Sequence, residues 1–173
     1  MISKSLSRVA LVAALGATAL PLLSGAAVYS NGSRTATFDV TLKIIADCII
    51  ATNTLDFGQT QGVLATAVTG SSTLNVTCTN TTPYNVGLSA GTGTGSTIAA
   101  RVMSGTGANT STVGYALTQT SGGANWGNTQ GTDTVSGTGT GTLQNLTVHG
   151  NIPAQATPQP DTYKSTITAT VYF

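Results

Sequence analysis

The chain has 173 residues, a formal net charge of +1 and only 6 % charged side chains, with Glu absent. So weak a charge excludes the basic surfaces that hold nucleic acid or anionic membranes, and one histidine leaves little material for a metal site. Thr, Ser, Gly and Asn fill most polar positions, a β composition rich in turns and poor in helix.

The N-terminus carries Lys4 and Arg8, then an uncharged apolar run from Val9 to Leu23, then Ser24, Gly25, Ala26 and Ala27. This is the order of a secretory signal peptide. The run of about 15 residues is short of the roughly 20 that a spanning helix needs. Residues 1–26 are therefore expected to be a cleaved leader, and the mature chain, without Lys4 and Arg8, to be slightly acidic and exported.

Behind the leader, "TATFDVTLKIIADC" at residues 35–48 alternates strictly. Ala36, Phe38, Val40, Leu42, Ile44 and Ala46 share one strand face, with Thr37, Asp39, Thr41 and Lys43 on the other. "LDFGQTQG" at 55–62 reads as a short strand running into a loop. "STLNVTCT" places Leu74, Val76 and Cys78 on one face, and "PYNVGLSA" does the same with Tyr84, Val86 and Leu88. The turn-forming Asn80–Pro83 lies between those two.

"GTGTGS" from Gly91 is a loop, Ile98, Ala100 and Val102 alternate, and Tyr115 with Leu117 marks another strand. Residues 122–141 form a long polar stretch interrupted by Trp126 and Val135, where Trp126 is more simply a lid on the domain's end than a binding aromatic. Leu146 and Val148 lead into the loop "HGNIPAQATPQPDTY". A last alternating strand follows, with Tyr163, Ile167, Ala169, Val171 and Phe173 on one face and threonines on the other.

Short strands separated by turn signals, without helical periodicity, predict an all-β fold, an immunoglobulin-like sandwich. Cys48 and Cys78 are an even pair in an exported chain and are expected to form a disulfide. Catalytic readings are weak: His149 sits at a strand end and the Asp residues are scattered. "GTGTG" lacks the helix and Lys of a phosphate loop. No enzyme activity, cofactor or metal is expected.

The order of these pieces, alternating strand, Cys48, "LDFG", "LNVTC", "HGNIPA" and the terminal "DTYKSTITATVYF", resembles the spore coat protein U domain family. Within it the chain is similar to subunits of archaic chaperone-usher pili of the Csu type. The resemblance implies an incomplete immunoglobulin-like β-sandwich, completed by a donor strand from a neighbouring subunit. Such donor-strand complementation of pilins is a known form of peptide recognition by strand addition to an open sheet edge. The resemblance also implies a leader at 1–26, a donor segment at 27–46 and a pilin domain at 47–173.

Individual residues receive roles from the same resemblance. Phe38, Val40, Leu42 and Ile44 are the donor residues, and their burial would contribute about 6–12 kcal/mol gross at roughly 1.5–3 kcal/mol each. Ile167, Ala169, Val171 and Phe173 line the acceptor groove and meet the chaperone, since the sequence ends inside an alternating strand with nothing after it to cover that groove. The implied partners are a periplasmic chaperone, an outer-membrane usher and copies of the chain or sister pilins, and the implied destination is a surface pilus serving adhesion and biofilm formation. Ile45, Ala46 and Asp47 offer no Gly, Pro or Asn for a reversal that would fold the donor strand onto its own domain. The competing reading is a secreted spore-coat or matrix protein with the same sandwich and no strand exchange; a hydrolase has no supporting residue.

Overall fold

The alternating segments pair as two antiparallel sheets in a computed structural model that describes residues 31–59 and 61–173. The expected leader lies outside the described residues. Two units are distinguished, Met1–Thr41 and Leu42–Phe173. In the first, the described residues 31–41 are exposed and enter no strand.

The second unit contains, among the described residues, β1 (Cys48–Thr52), β2 (Val68–Cys78), β3 (Pro83–Leu88), β4 (Arg101–Gly105), β5 (Thr112–Thr118), β6 (Val135–Thr138), β7 (Gln144–Ile152), β8 (Tyr163–Lys164) and β9 (Ala169–Tyr172). One sheet has the order β1-β2-β7-β5-β4-β8 and the other β6-β3-β9. Period-two burial selects the inward faces: Leu74, Val76 and Cys78 from β2, Tyr84, Val86 and Leu88 from β3, and Val113, Tyr115 and Leu117 from β5. Cys48 and Cys78 face each other in the β1–β2 register and are joined by a disulfide.

β2 passes to β3 through the turn at 79–82, where Thr82 N–H bonds Thr79 O at 3.1 Å. Pro83 then opens β3 at a first-strand position, where a missing N–H costs least. Trp126 is 2 % exposed, and its Nε1–H donates to Val86 O at 2.7 Å, so it is a core plug inside the polar stretch. Beside it Arg101 is 1 % exposed, and its guanidinium donates to the carbonyls of Leu88, Ser89 and Trp126. Burial holds its titration below the usual range, opposed by Tyr115 and Asp133.

Two expectations need correction. Leu55 and Phe57 lie in no strand, although both are partly buried against the core. They rest on Gly70 and Gly150, which pair directly across β2 and β7; a Cβ on Gly150 would come within 2.7 Å of Phe57 and 2.9 Å of Leu55. Packing over that notch, rather than a backbone ladder, fixes the segment. The last strand is not continuous either. Tyr163 and Lys164 bond β4, Ala169–Tyr172 bonds β3, and the chain changes sheet between them.

Candidate functional site: an open groove beside an unpaired sheet edge

A six-stranded sheet offers an inner face wider than three strands can cover, since each strand spans roughly 4.8 Å of sheet. The uncovered part is a groove of about 400 Å³. Leu74, Val148, Leu117, Tyr115 and Met103 form its floor, one inward side chain or two from each of β2, β7, β5 and β4. One wall is the segment 52–57, with Leu55 and Phe57 presenting apolar side chains. The other is Lys164–Ile167 with Ala169.

The second wall is held by hydroxyls where the ladder is broken. Thr166 N–H donates to Thr92 Oγ1 and Thr168 N–H to Ser89 Oγ, both at 2.9 Å, and Thr92 N–H donates to Ser165 Oγ at 3.2 Å. Gly91, at φ +90°, permits this close approach, because a Cβ there would run into Ser165 and Ile167.

Both walls end in sheet edges. Ser89 N–H bonds Thr168 O at 2.9 Å, and the same register pairs Gly87 with Thr170 and Asn85 with Tyr172. In an antiparallel ladder the intervening residues turn their N–H and C=O the other way. The amides of Ala169 and Val171 therefore point off the outer edge of β9, which has no further strand in its sheet among the described residues. By the same reasoning the Asn53 N–H bond to Thr73 O at 3.1 Å leaves Ile50 and Thr52 facing off the edge of β1. β1 and β9 approach within 8 Å without forming a ladder.

Upstream of the groove, Asp161 secures the start of its second wall. Its carboxylate accepts from Thr106 N–H and Oγ1–H, Asn109 Nδ2 and Thr162 N–H at 2.7–2.9 Å, tying residues 159–163 to the β4–β5 turn. Bonding from Thr106 first, then from Asn109 and the Thr162 amide, holds this carboxyl below its ordinary range. A depressed folded-state pKa stabilises the fold above the unfolded value of about 4, and that contribution is lost as pH falls through the folded value. The Asp161→Asn chain is expected to be less stable than wild type near neutral pH, with the two unfolding temperatures converging on acidification; a gap that stays constant with pH would exclude this role.

The expected site residues do not all come together. Ile167 and Ala169 line the groove, whereas Val171 packs on the core and Phe173, 58 % exposed, borders a second hollow. Phe38 and Val40 are 86 % exposed, Leu42 is 85 % and Ile44 is 75 % exposed. Cys48 and Cys78 pin β1 to β2 ahead of the first wall. His149 pairs with Ser71 and Thr118 across the large sheet, on the opposite face from Val148 and the groove. Leu55 and Phe57 were readable as an apolar pair, but only the Gly70–Gly150 notch makes them a groove wall.

No curated protein matches the sequence. A solved structure of similar fold is the CsuC–CsuE chaperone–tip adhesion subunit pre-assembly complex from archaic chaperone-usher Csu pili of Acinetobacter baumannii. The match has a TM-score of 0.54 and 22 % identity, and covers 75 % of this chain and 40 % of that one. The model of the Spore Coat Protein U domain matches residues 34–170. The chain belongs to the Spore Coat Protein U domain family.

Proposed function

We propose that this protein is a non-enzymatic subunit of a surface pilus built by the chaperone-usher pathway. It is exported to the periplasm, where a chaperone strand fills the groove. An outer-membrane usher then exchanges that strand for residues 35–46 of the next copy or of a sister pilin. The fibre so formed serves adhesion and biofilm formation. One observation carries the reading: an apolar groove open beside the unpaired β9 edge, in a chain whose Phe38, Val40, Leu42 and Ile44 alternate in sequence and are exposed. An inserted strand would supply both a backbone ladder and apolar cover.

The test is thermal unfolding of the monomeric chain with a synthetic peptide spanning Arg34 to Ile45. At a peptide concentration about 100 times Kd, linkage adds about 2.7 kcal/mol, a rise of roughly 10 °C for a domain of this size. A coat or matrix protein without strand exchange predicts no peptide-dependent shift, and that result would displace the pilus reading.

A further inference from the structure

A second hollow of about 400 Å³ lies at the root of the donor segment, bordered by Ile44, Ile45, Pro83, Phe173 and the turn at 79–82. We infer that it is a docking surface for the body of a second copy of this chain, the copy whose groove accepts the donor strand. The inference rests on the strand-donation reading above.

Ile45 is the first indication. In an inserted strand it would stand opposite Phe38, Val40, Leu42 and Ile44, on a face otherwise made of Thr37, Asp39, Thr41 and Lys43. Insertion of that apolar face into a groove therefore does nothing for Ile45, which is 66 % exposed. Phe173, 58 % exposed, borders the same hollow. Donation therefore leaves an apolar pair around this hollow open to a further contact.

The tether decides what makes that contact. Asp47 is fastened to the domain on both sides of its peptide: its N–H donates to Thr79 Oγ1 at 3.2 Å, and Thr79 N–H donates to its carbonyl at 3.0 Å. Cys48 follows in β1, held by the disulfide. With Ile44 seated in the accepting copy, only Ile45 and Ala46 are left to span the gap. Three Cα steps reach at most about 10 Å, roughly the spacing of two packed sheets. A body held that close to Asp47 lies against the hollow that surrounds it.

The chemistry of the surfaces permits this contact. The side chains bordering the hollow are uncharged, so burying them against another surface desolvates no side-chain ion. The rim of the accepting groove is polar, with Thr52, Asn53 and Thr54 on one wall and Ser165 and Thr166 beside a single cation, Lys164, on the other. The junction is thus a short apolar joint of set angle rather than a free hinge.

Polymers grown from the full chain provide the test. A benzophenone side chain placed at the exposed Asn80 is expected to form inter-subunit adducts at least tenfold more often than one at the exposed Gln130, and none in the monomer. In parallel, Ile45→Asp is expected to speed junction dissociation at least tenfold while its groove still captures the Arg34–Ile45 peptide as wild type does. Polymers with equal adduct yields at the two positions, or junctions indifferent to Ile45→Asp, overturn the docking surface and leave strand donation standing. A chain that neither polymerises nor binds the peptide overturns both.

Discussion

A chain carrying Val40→Asp together with Leu42→Asp is expected to lose self-association by at least about 10⁴-fold while folding normally. Both residues are exposed, at 86 % and 85 %, so the domain that carries them forgoes no packing. In a neighbour's groove the same substitutions remove about 3–6 kcal/mol of apolar burial and place two carboxylates against an uncharged floor, at several kcal/mol more. At 1.4 kcal/mol per decade, even the lower sum reaches four decades. Sedimentation of the purified chain measures the loss. The variant's own groove is untouched, so it should still bind the wild-type peptide from Arg34 to Ile45. Polymers of normal length from this variant would remove residues 35–46 from the donor role.

Replacing Cys48 and Cys78 by Ser is the second large effect. The bridge closes 30 residues of sequence separation, and the chain-entropy treatment assigns such a loop about 3.6 kcal/mol. Against a total stability of about 5–15 kcal/mol, that is a substantial fraction. Cys78 is 1 % exposed, so a serine hydroxyl there would also require a buried partner. The structure adds a functional consequence. Among the described residues β1 is the outermost strand of its sheet, bonded only to β2, and it leads directly into the groove wall at residues 52–57. Without the bridge that wall keeps only the β1–β2 ladder and the packing of Leu55 and Phe57 over Gly70 and Gly150, so peptide-induced stabilisation should fall along with the urea midpoint. A change in stability below about 1 kcal/mol would show that the bridge does little for the fold.

The strands that carry the core were legible because their environment is two-sided. On β2, β3, β5 and β7 one face meets the opposite sheet and the other meets water, so Leu74, Val76, Val86, Tyr115, Leu117 and Val148 stand at period two in the sequence as they do in the structure. The cysteine pair was legible for a similar reason, since only two thiols were available to each other. Leu55 and Phe57 show the limit. Their alternation suggested a strand, but they have no neighbouring strand to bond, and what holds them is the pair of glycines at 70 and 150, far along the chain.

Arg101 was missed for a comparable reason. A charged residue is ordinarily read as solvated, and it becomes a core residue only because three carbonyls, from Leu88, Ser89 and Trp126, converge on it. The final strand shows the same division: its apolar alternation survives from Tyr163 to Val171, yet the switch from β4 to β3 depends on hydroxyls of Ser89 and Thr92 that a local pattern does not reveal.

Sequence alone was sufficient for the all-β class, the inward faces and the disulfide pair, because each follows from local side-chain chemistry and a fixed backbone period. The family resemblance implied a groove, but its floor and walls were decided by tertiary structure. An unfilled place in a sandwich is a property of how many strands each sheet contains and where their edges lie, and strand order is set by contacts between residues distant in the chain.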